Sequence, residues 1–469
     1  MRPNVKRPDE RNKPDPPGWT LSAQHAFLGM VIEENGVVMM IARVDRFRRI
    51  MPLRWAVVPI PLSRDLTPAP RQMEGALSDG LRQLHGEPLE YGRCFLCLPP
   101  WCTETRAGSG SIDLGAQGHD PDRPAVRRVT ADDVQDLVRR VCQQNVPPAC
   151  AVVDVVPQHY VLDNGCRVSD PLGSLTRTLD LEACLIVTDY GTARGLLDAL
   201  NSLRLRVDMM TSPYAATGEL LLPSDKEAGS VLVDAGARYT CCSFFQDGIL
   251  AHAVLVPCGL EEAVAEAAGR LGMEEEDLVR VVRARREWLL QPEVYAALVV
   301  ALPGGRSVRV ADVDAAVRAG AGLFWGRVQT CLDEAIRARH LRVKRLWLAG
   351  DESVLLRALK GIGAQRFPAQ GGQVAMQQVH CGTEAVLPAQ ARMAGLLARG
   401  ALASPALQPF LHEYNRVPGD PVLRFLLDEG RVVCRQVSSA WRAAAPRLRE
   451  SLGAVRIPRF LSKVPHWFA

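Results

Sequence analysis

The stretch Val231–Val256, VLVDAGARYTCCSFFQDGILAHAVLV, constrains the fold more than any other part of this 469-residue chain. An apolar run closes on Asp234, a small-residue turn follows at Ala235, Gly236 and Ala237, and a second apolar run continues through Cys241 to Phe245. Gln246, Asp247 and Gly248 then reverse the chain into a third strand, because Asp-Gly supplies the positive φ angles of a two-residue hairpin turn. An acid followed by a glycine-bearing turn between strands is also how backbone N–H groups approach phosphate oxygens. Here the turn is only partly equipped for that task, since Ala237 and Arg238 follow its single glycine.

Around this hairpin the pattern alternates. Ala26–Val44 reads as strand, Asn-Gly turn, strand, and Tyr91–Leu98 as a strand ending at two prolines. Thr130 is placed as an N-cap, with Asp132 and Asp133 in the first turn and Val134, Leu137, Val138 and Val141 on one helical face. Strands at Leu181–Thr188 and Val343–Ala349 alternate with helical segments, which argues an α/β protein. The length calls for two or more cores.

The exclusions are as useful. A composition of 47% apolar and 23% charged residues is that of a globular protein, and a net charge of +4 gives no argument for nucleic acid. No apolar run reaches the roughly 18 to 20 residues of a membrane-spanning helix, and the N-terminus, Pro-rich over residues 1–18, has no signal-peptide core. The 13 cysteines are scattered through apolar runs, which fits a reducing compartment. Cys94 and Cys97 sit three apart on a strand and point to opposite faces, so they are read with Cys102 as core residues and no metal site is assigned. The chain has no GxxxxGK[ST], GxGxxG, GxSxG or HExxH motif. The acids Glu274–Asp277 read as a solvated helix N-terminus.

The C-terminal residues Val455–Ala469, VRIPRFLSKVPHWFA, form a separate signal. Ile457, Phe460, Leu461 and Val464 fall at i, i+3, i+4 and i+7, with Arg456, Arg459 and Lys463 elsewhere on the wheel and Trp467 and Phe468 behind them. This reads either as a basic amphipathic helix on a membrane surface or as a terminal helix docked on the protein body.

Taken together, these segments resemble FtsA, the bacterial actin homologue that tethers the tubulin-like protein FtsZ to the membrane. Val155–Gly173, VVPQHYVLDNGCRVSDPLG, is similar to that family's PQ-[EF]-[YF]-x-[LI]-D segment and the D/N-P-[IV]-G turn after it, through Pro157, Gln158, Tyr160, Leu162, Asp163, Asp170, Pro171 and Gly173. The central hairpin resembles the family's VDIGGGTTDIAIF, and Pro388–Leu397, PAQARMAGLL, its closing A-x-GLL helix. The resemblance covers roughly residues 26 to 400 at low identity.

It implies an actin-like fold with two lobes of the RNase H type, an inserted FtsA-type 1C (SHS2-like) subdomain and a C-terminal amphipathic tail. The implied division is a first lobe over 19–88 and 166–227, interrupted by the 1C insert at 89–165. The second lobe follows at 228–258 and 318–400, with a small subdomain at 259–317, and the linker and membrane-targeting tail at 401–469. The implied partners are the FtsZ C-terminal peptide at roughly Leu260–Asp314, other copies of the chain through actin-like contacts, later division proteins, and anionic lipid at the inner face of the cell membrane. Arg280, Arg283, Arg285 and Arg286 would meet the peptide or form a solvated face. A basic tail with six Arg or Lys and one acid, Glu450, from Trp441 onward agrees with anionic lipid.

The implied cofactor, ATP with magnesium, meets a degraded site. The family's Asp-x-Gly-[TS] phosphate loop is expected near Leu21–Ala26, where this chain has LSAQHA. In the second phosphate loop Asp234, Gly236 and Thr240 match, Ala237 and Arg238 replace two glycines, and Cys241 replaces the second acid. Arg238 would offer a charge to a phosphate in place of backbone. The adenosine-side TGG is Ala349, Gly350 and Asp351, and the E-x-x-K contact near Glu276 lacks its lysine. The implied activity is at most a weak ATPase, with no catalytic residue assigned. The alternatives are a PilM-like component of type IV pilus assembly and a soluble actin-fold structural partner; a sugar-kinase-like enzyme would need intact loops.

Overall fold

The computed structural model describes residues 26–34, 36–44, 50–60, 70–84, 91–115, 126–203, 205–301, 307–350, 353–362, 365–367, 372–374, 376–378, 389–402 and 404–415. The N-terminal extension, Leu21–His25, Asp351 and the whole amphipathic tail from Arg456 to Phe468 lie outside the described residues. Nearly all of the described residues fall in one compact unit, which ends at Glu413.

The chain opens with strands β1 (Ala26–Glu33), β2 (Gly36–Val44) and β3 (Ile50–Val58), then helix α1 (Pro70–Leu84) and strand β4 (Tyr91–Cys97). β1 pairs antiparallel with β2 and parallel with β4, giving a five-stranded sheet whose other edge is the short strand Met209–Thr211. The apolar runs Ala26–Ile32 of β1 and Cys94–Cys97 of β4 follow from burial on both faces. One face takes α1, where Met39 and Val58 pack close under Gly80. The other takes a helix from the far end of the chain, α7 below.

The next unit is a four-stranded antiparallel sheet formed by β5 (Thr103–Asp113), β6 (Cys150–Leu162), the two-residue β7 (Arg167–Val168) and β8 (Thr178–Asp189). The strand order is β5-β8-β6-β7. Helix α2 (Ala131–Asn145) covers it with the face predicted from sequence: Val134, Leu137, Val138 and Val141 are all buried, against Leu181, Leu185 and Val155 among others. This inserted unit differs from the expected range 89–165. β4 belongs to the first-lobe sheet and β8, read as first-lobe, is central to the insert, so the insert runs over 103–189. The reason is pairing: β8 is hydrogen-bonded along its length to both β5 and β6. The Pro157–Asp163 segment therefore lies at the end of a long strand inside the insert.

Thr130 caps α2 as expected, and Asp133 completes a capping box by accepting from the Thr130 N–H at 2.8 Å. Arg127 also grips Asp133 with two N–H groups, at 2.5 and 2.6 Å. These bonds to the charged form hold the Asp133 carboxyl down at about 2, against an ordinary 3.8. The ionised group is thus favoured by folding, with a contribution of about 2 kcal/mol present above pH 3.8 and lost as pH falls through about 2. Asp133→Asn is expected to lower stability by about 2 kcal/mol at neutral pH, and the gap to wild type should close on acidification; urea titrations across pH measure both.

Helix α3 (Tyr190–Ser202) returns the chain to the first lobe. The second lobe holds β9 (Ser230–Ala235), β10 (Thr240–Gln246), β11 (Ile249–Val256), β12 (Arg345–Gly350) and β13 (Met376–Gln378), in the order β11-β10-β9-β12-β13. Asp247 and Gly248 both have positive φ, 53° and 87°, as the Asp-Gly hairpin requires. Helices α4 (Leu260–Leu271) and α5 (Glu275–Ala284) lead to the 30-residue α6 (Val310–Arg339), which packs on α4.

The closing helix α7 (Gln390–Leu402) crosses back to the first-lobe sheet, where Met393, Leu396 and Leu397 pack with Phe27, Val31 and Phe95. Its glycine explains the A-x-GLL pattern. A Cβ on Gly395 would lie 2.1 Å from the Ala216 carbonyl oxygen, so only glycine permits the approach.

Candidate functional site

The turn after β9 is where a phosphate would be expected. Asp234 is buried near the end of β9, beside Cys241 of β10 and Ala349 of β12. Ala235 pairs with Thr240 on one side and Gly350 on the other. Asp234, Gly236, Arg238, Thr240 and Gly350 are thus brought to one end of one sheet. The polar groups around this turn are engaged with the protein itself. The Thr240 hydroxyl donates to the Cys258 carbonyl at 2.8 Å. The carbonyls of Gly236 and Ala237 accept from the first N–H groups of α4, each at 2.9 Å. Cys241, where the family has an acid, is 1% exposed, and burial pushes its thiol well above the ordinary value. It therefore supplies neither a carboxylate nor a ready thiolate.

Of Leu21–Ala26, where the phosphate loop was expected, only Ala26 is among the described residues. Ala26 starts β1 beside Tyr91 and Arg43, seven residues or about 23 Å of strand from Glu33. The segment facing Arg238 is the β1–β2 turn, which carries Glu33 and Glu34. The Glu34 carboxylate, 4% exposed, accepts the backbone N–H of Arg238 at 2.7 Å and that of Tyr239 at 3.2 Å. The Arg238 side chain donates to the same carboxylate and to the Glu34 carbonyl, both at 3.4 Å. Burial pushes the Glu34 carboxyl above its ordinary value, against the opposing pull of those N–H groups and of Arg392 and Arg238.

Arg392, from α7, completes the cluster. Only 4% exposed, it donates from Nε to Asp234 Oδ2 at 2.7 Å and from Nη1 to the Glu33 carboxylate. Burial disfavours its charge, but Asp234 and Glu33 more than offset this and hold its pKa well above the ordinary arginine value. The Tyr239 ring stacks obliquely on Trp101 of the first lobe, with centroids 5.7 Å apart. Three carboxylates, two guanidiniums and two backbone N–H groups are therefore engaged with one another across the cleft.

These residues do not fit a magnesium–nucleotide complex as they stand. The N–H groups that would meet a phosphate hold Glu34, and the acid that would position the cation and its waters holds a guanidinium. Gly236 is hemmed in by the same groups: a Cβ there would lie 3.0 Å from an Arg392 nitrogen and 3.2 Å from Glu34. Arg238, expected to face a phosphate, faces Glu34 instead.

The sequence reading missed Glu33, Glu34 and Arg392. Two signals were present: consecutive acids in a turn read only as Asn-Gly, and a lone arginine among the small apolar residues of PAQARMAGLL. The second charged junction was missed as well. Asp154 of β6, 1% exposed, accepts from Arg399 at 2.7 and 2.9 Å, from Thr211 at 2.6 Å and from Gln408 at 3.0 Å. It ties the insert to the first-lobe sheet and to α7. Glu276 and Arg280 lie on α5, where Arg280 pairs with Asp277 at 2.9 Å; Arg285 lies over the Trp288 ring at 4.7 Å.

Comparison with known proteins agrees with this architecture. A family model described as the SHS2 domain inserted in FTSA matches residues 119–187, within the inserted unit. The chain is 26% identical over 156 residues to the cell division protein FtsA of Bacillus subtilis, a match covering 33% of this chain and 36% of that protein. It is 24% identical over 150 residues to the FtsA of Escherichia coli K12, covering 32% and 36%. The chain thus spans about a third of the length of these relatives. Among solved structures, a chain of the PilM–PilN type IV pilus biogenesis complex superposes with a TM-score of 0.51, covering 81% of this chain and 99% of that one at 14% identity, a likeness of fold. The chain thus resembles FtsA proteins in its SHS2-type insert and over about a third of their length, and its two-lobed frame shares the fold of the PilM–PilN complex chain.

Proposed function

We propose that this protein is a cell-division scaffold on the cytoplasmic face of the inner membrane, which holds FtsZ filaments there and recruits later division proteins. The observation that carries the reading is the SHS2-type sheet of residues 103–189, docked into the frame through Asp154. The relatives named as cell division proteins support it. In this reading the FtsZ C-terminal peptide meets the small helical part of the second lobe. That part exposes apolar side chains at Val294, Leu298 and Val299 and carries the basic residues Arg280 and Arg283 on α5, types suited to an apolar and acidic peptide. Copies of the chain associate along the actin-like axis, and the insert receives the later proteins.

The scaffold works without hydrolysing ATP, since the groups of the cleft are spent on one another. Membrane attachment is assigned to the tail, through Arg456, Arg459, Lys463 and the apolar Ile457, Phe460, Leu461, Val464, Trp467 and Phe468. No helix among the described residues is long and apolar enough to cross a membrane.

Three measurements test this. A labelled FtsZ C-terminal peptide should bind the purified protein, and a fluorescent fusion should gather at the division site. Absence of both would end the reading, and binding of a PilN-type peptide instead would establish the pilus-assembly alternative. The full chain should sediment with vesicles rich in anionic lipid, whereas a chain truncated before Ser451 should not; equal sedimentation would remove the tail as anchor.

A further inference from the structure

The cleft contacts run between the lobes, and each joins groups of opposite character. Glu34 reaches from the first-lobe β1–β2 turn to two N–H groups of the second-lobe turn, at 2.7 and 3.2 Å. Arg392, on a helix packed against the first-lobe sheet, reaches the second-lobe Asp234 at 2.7 Å and also holds Glu33. A carboxylate has the charge and the acceptor oxygens to satisfy backbone donors that otherwise face a phosphate. A guanidinium has the charge to neutralise an acid that otherwise faces a metal and its waters. Gly236 lies between the two, within a side chain's reach of both.

We propose that Glu34 is a built-in anion for the phosphate-type turn at residues 236–239 and Arg392 a built-in cation for Asp234, and that together they latch the two lobes closed without nucleotide. The loop is then an anion site whose ligand is a carboxylate of the same chain. A closed conformation that actin-type proteins reach by binding nucleotide becomes the resting state of this one. The latch belongs to the two lobes and stands independently of the partner proposed for the scaffold.

Hydrogen exchange of the full-length protein tests it, read by mass spectrometry on the peptide spanning 236–239. In wild type this peptide should be protected, and neither magnesium–ATP nor inorganic phosphate at millimolar concentration should change its exchange. In Glu34→Ala it should exchange roughly tenfold faster or more, as expected for loss of a charge-assisted bond, and inorganic phosphate should slow it again. Unchanged exchange in Glu34→Ala, failure of phosphate to restore protection, or further protection of wild type by magnesium–ATP would each overturn the latch. Should Glu34→Ala not fold, the isosteric Glu34→Gln serves. Its neutral amide can accept one N–H but not act as an anion, so exchange equal to wild type would again refute the proposal.

Discussion

Arg392→Ala is expected to lower the free energy of unfolding by about 3–5 kcal/mol, read from the shift in the urea midpoint. The size follows from what is left behind. Asp234 is 2% exposed, and both it and Glu33 donate nothing; each accepts from the guanidinium that the substitution removes. The buried Asp234 and the half-buried Glu33 then lose the cation they share, and repulsion adds to desolvation. Charge and packing can be separated by a further variant. Combining Arg392→Met with Asp234→Asn and Glu33→Gln removes the charges together, so the triple variant should recover much of the loss. A triple variant no more stable than Arg392→Ala would show that packing of the arginine stem, rather than charge, sets the cost.

Asp154→Ala should cost a similar amount, about 3–5 kcal/mol, for a different structural reason. Its carboxylate is the common acceptor for Arg399, Thr211 and Gln408, which come from three separate parts of the chain. Burial opposes the Arg399 charge, and Asp154 with Glu219 more than compensates, holding its pKa above the ordinary value. Without Asp154 the guanidinium keeps, among the described residues, Glu219 at 3.3 Å. Gln408 would still accept from the Met210 N–H at 2.9 Å, so the local backbone has a remaining tie. The loss should therefore appear as loosening of the insert. Limited proteolysis should cut within residues 103–189 earlier than in wild type, ahead of the second lobe. A stability loss below about 1 kcal/mol, the range of exposed pairs, would contradict the junction role.

Much of the fold was legible because its signals are local. The Asp247-Gly248 hairpin, the α2 face of Val134, Leu137, Val138 and Val141, and the Thr130 cap each depend on residues within a few positions of one another. The extent of the insert was not, because a run such as Thr178–Asp189 reads as a buried strand in either sheet. Its membership is decided by which partners it hydrogen-bonds. Strand identity is a property of sequence pattern; strand address is a property of pairing.

The cleft shows the same division in chemical form. The sequence placed Asp234 and Gly236 at a turn with a single glycine, and the resemblance to FtsA set Thr240 and Gly350 beside it as an expected phosphate site. Only the tertiary structure decided what the turn holds. Arg392 lies 158 positions from Asp234 and 359 from Glu33, and Glu34 lies 204 from Arg238. No periodicity connects residues so far apart. Charge acts through space, and a charge can be buried only where folding delivers its opposite.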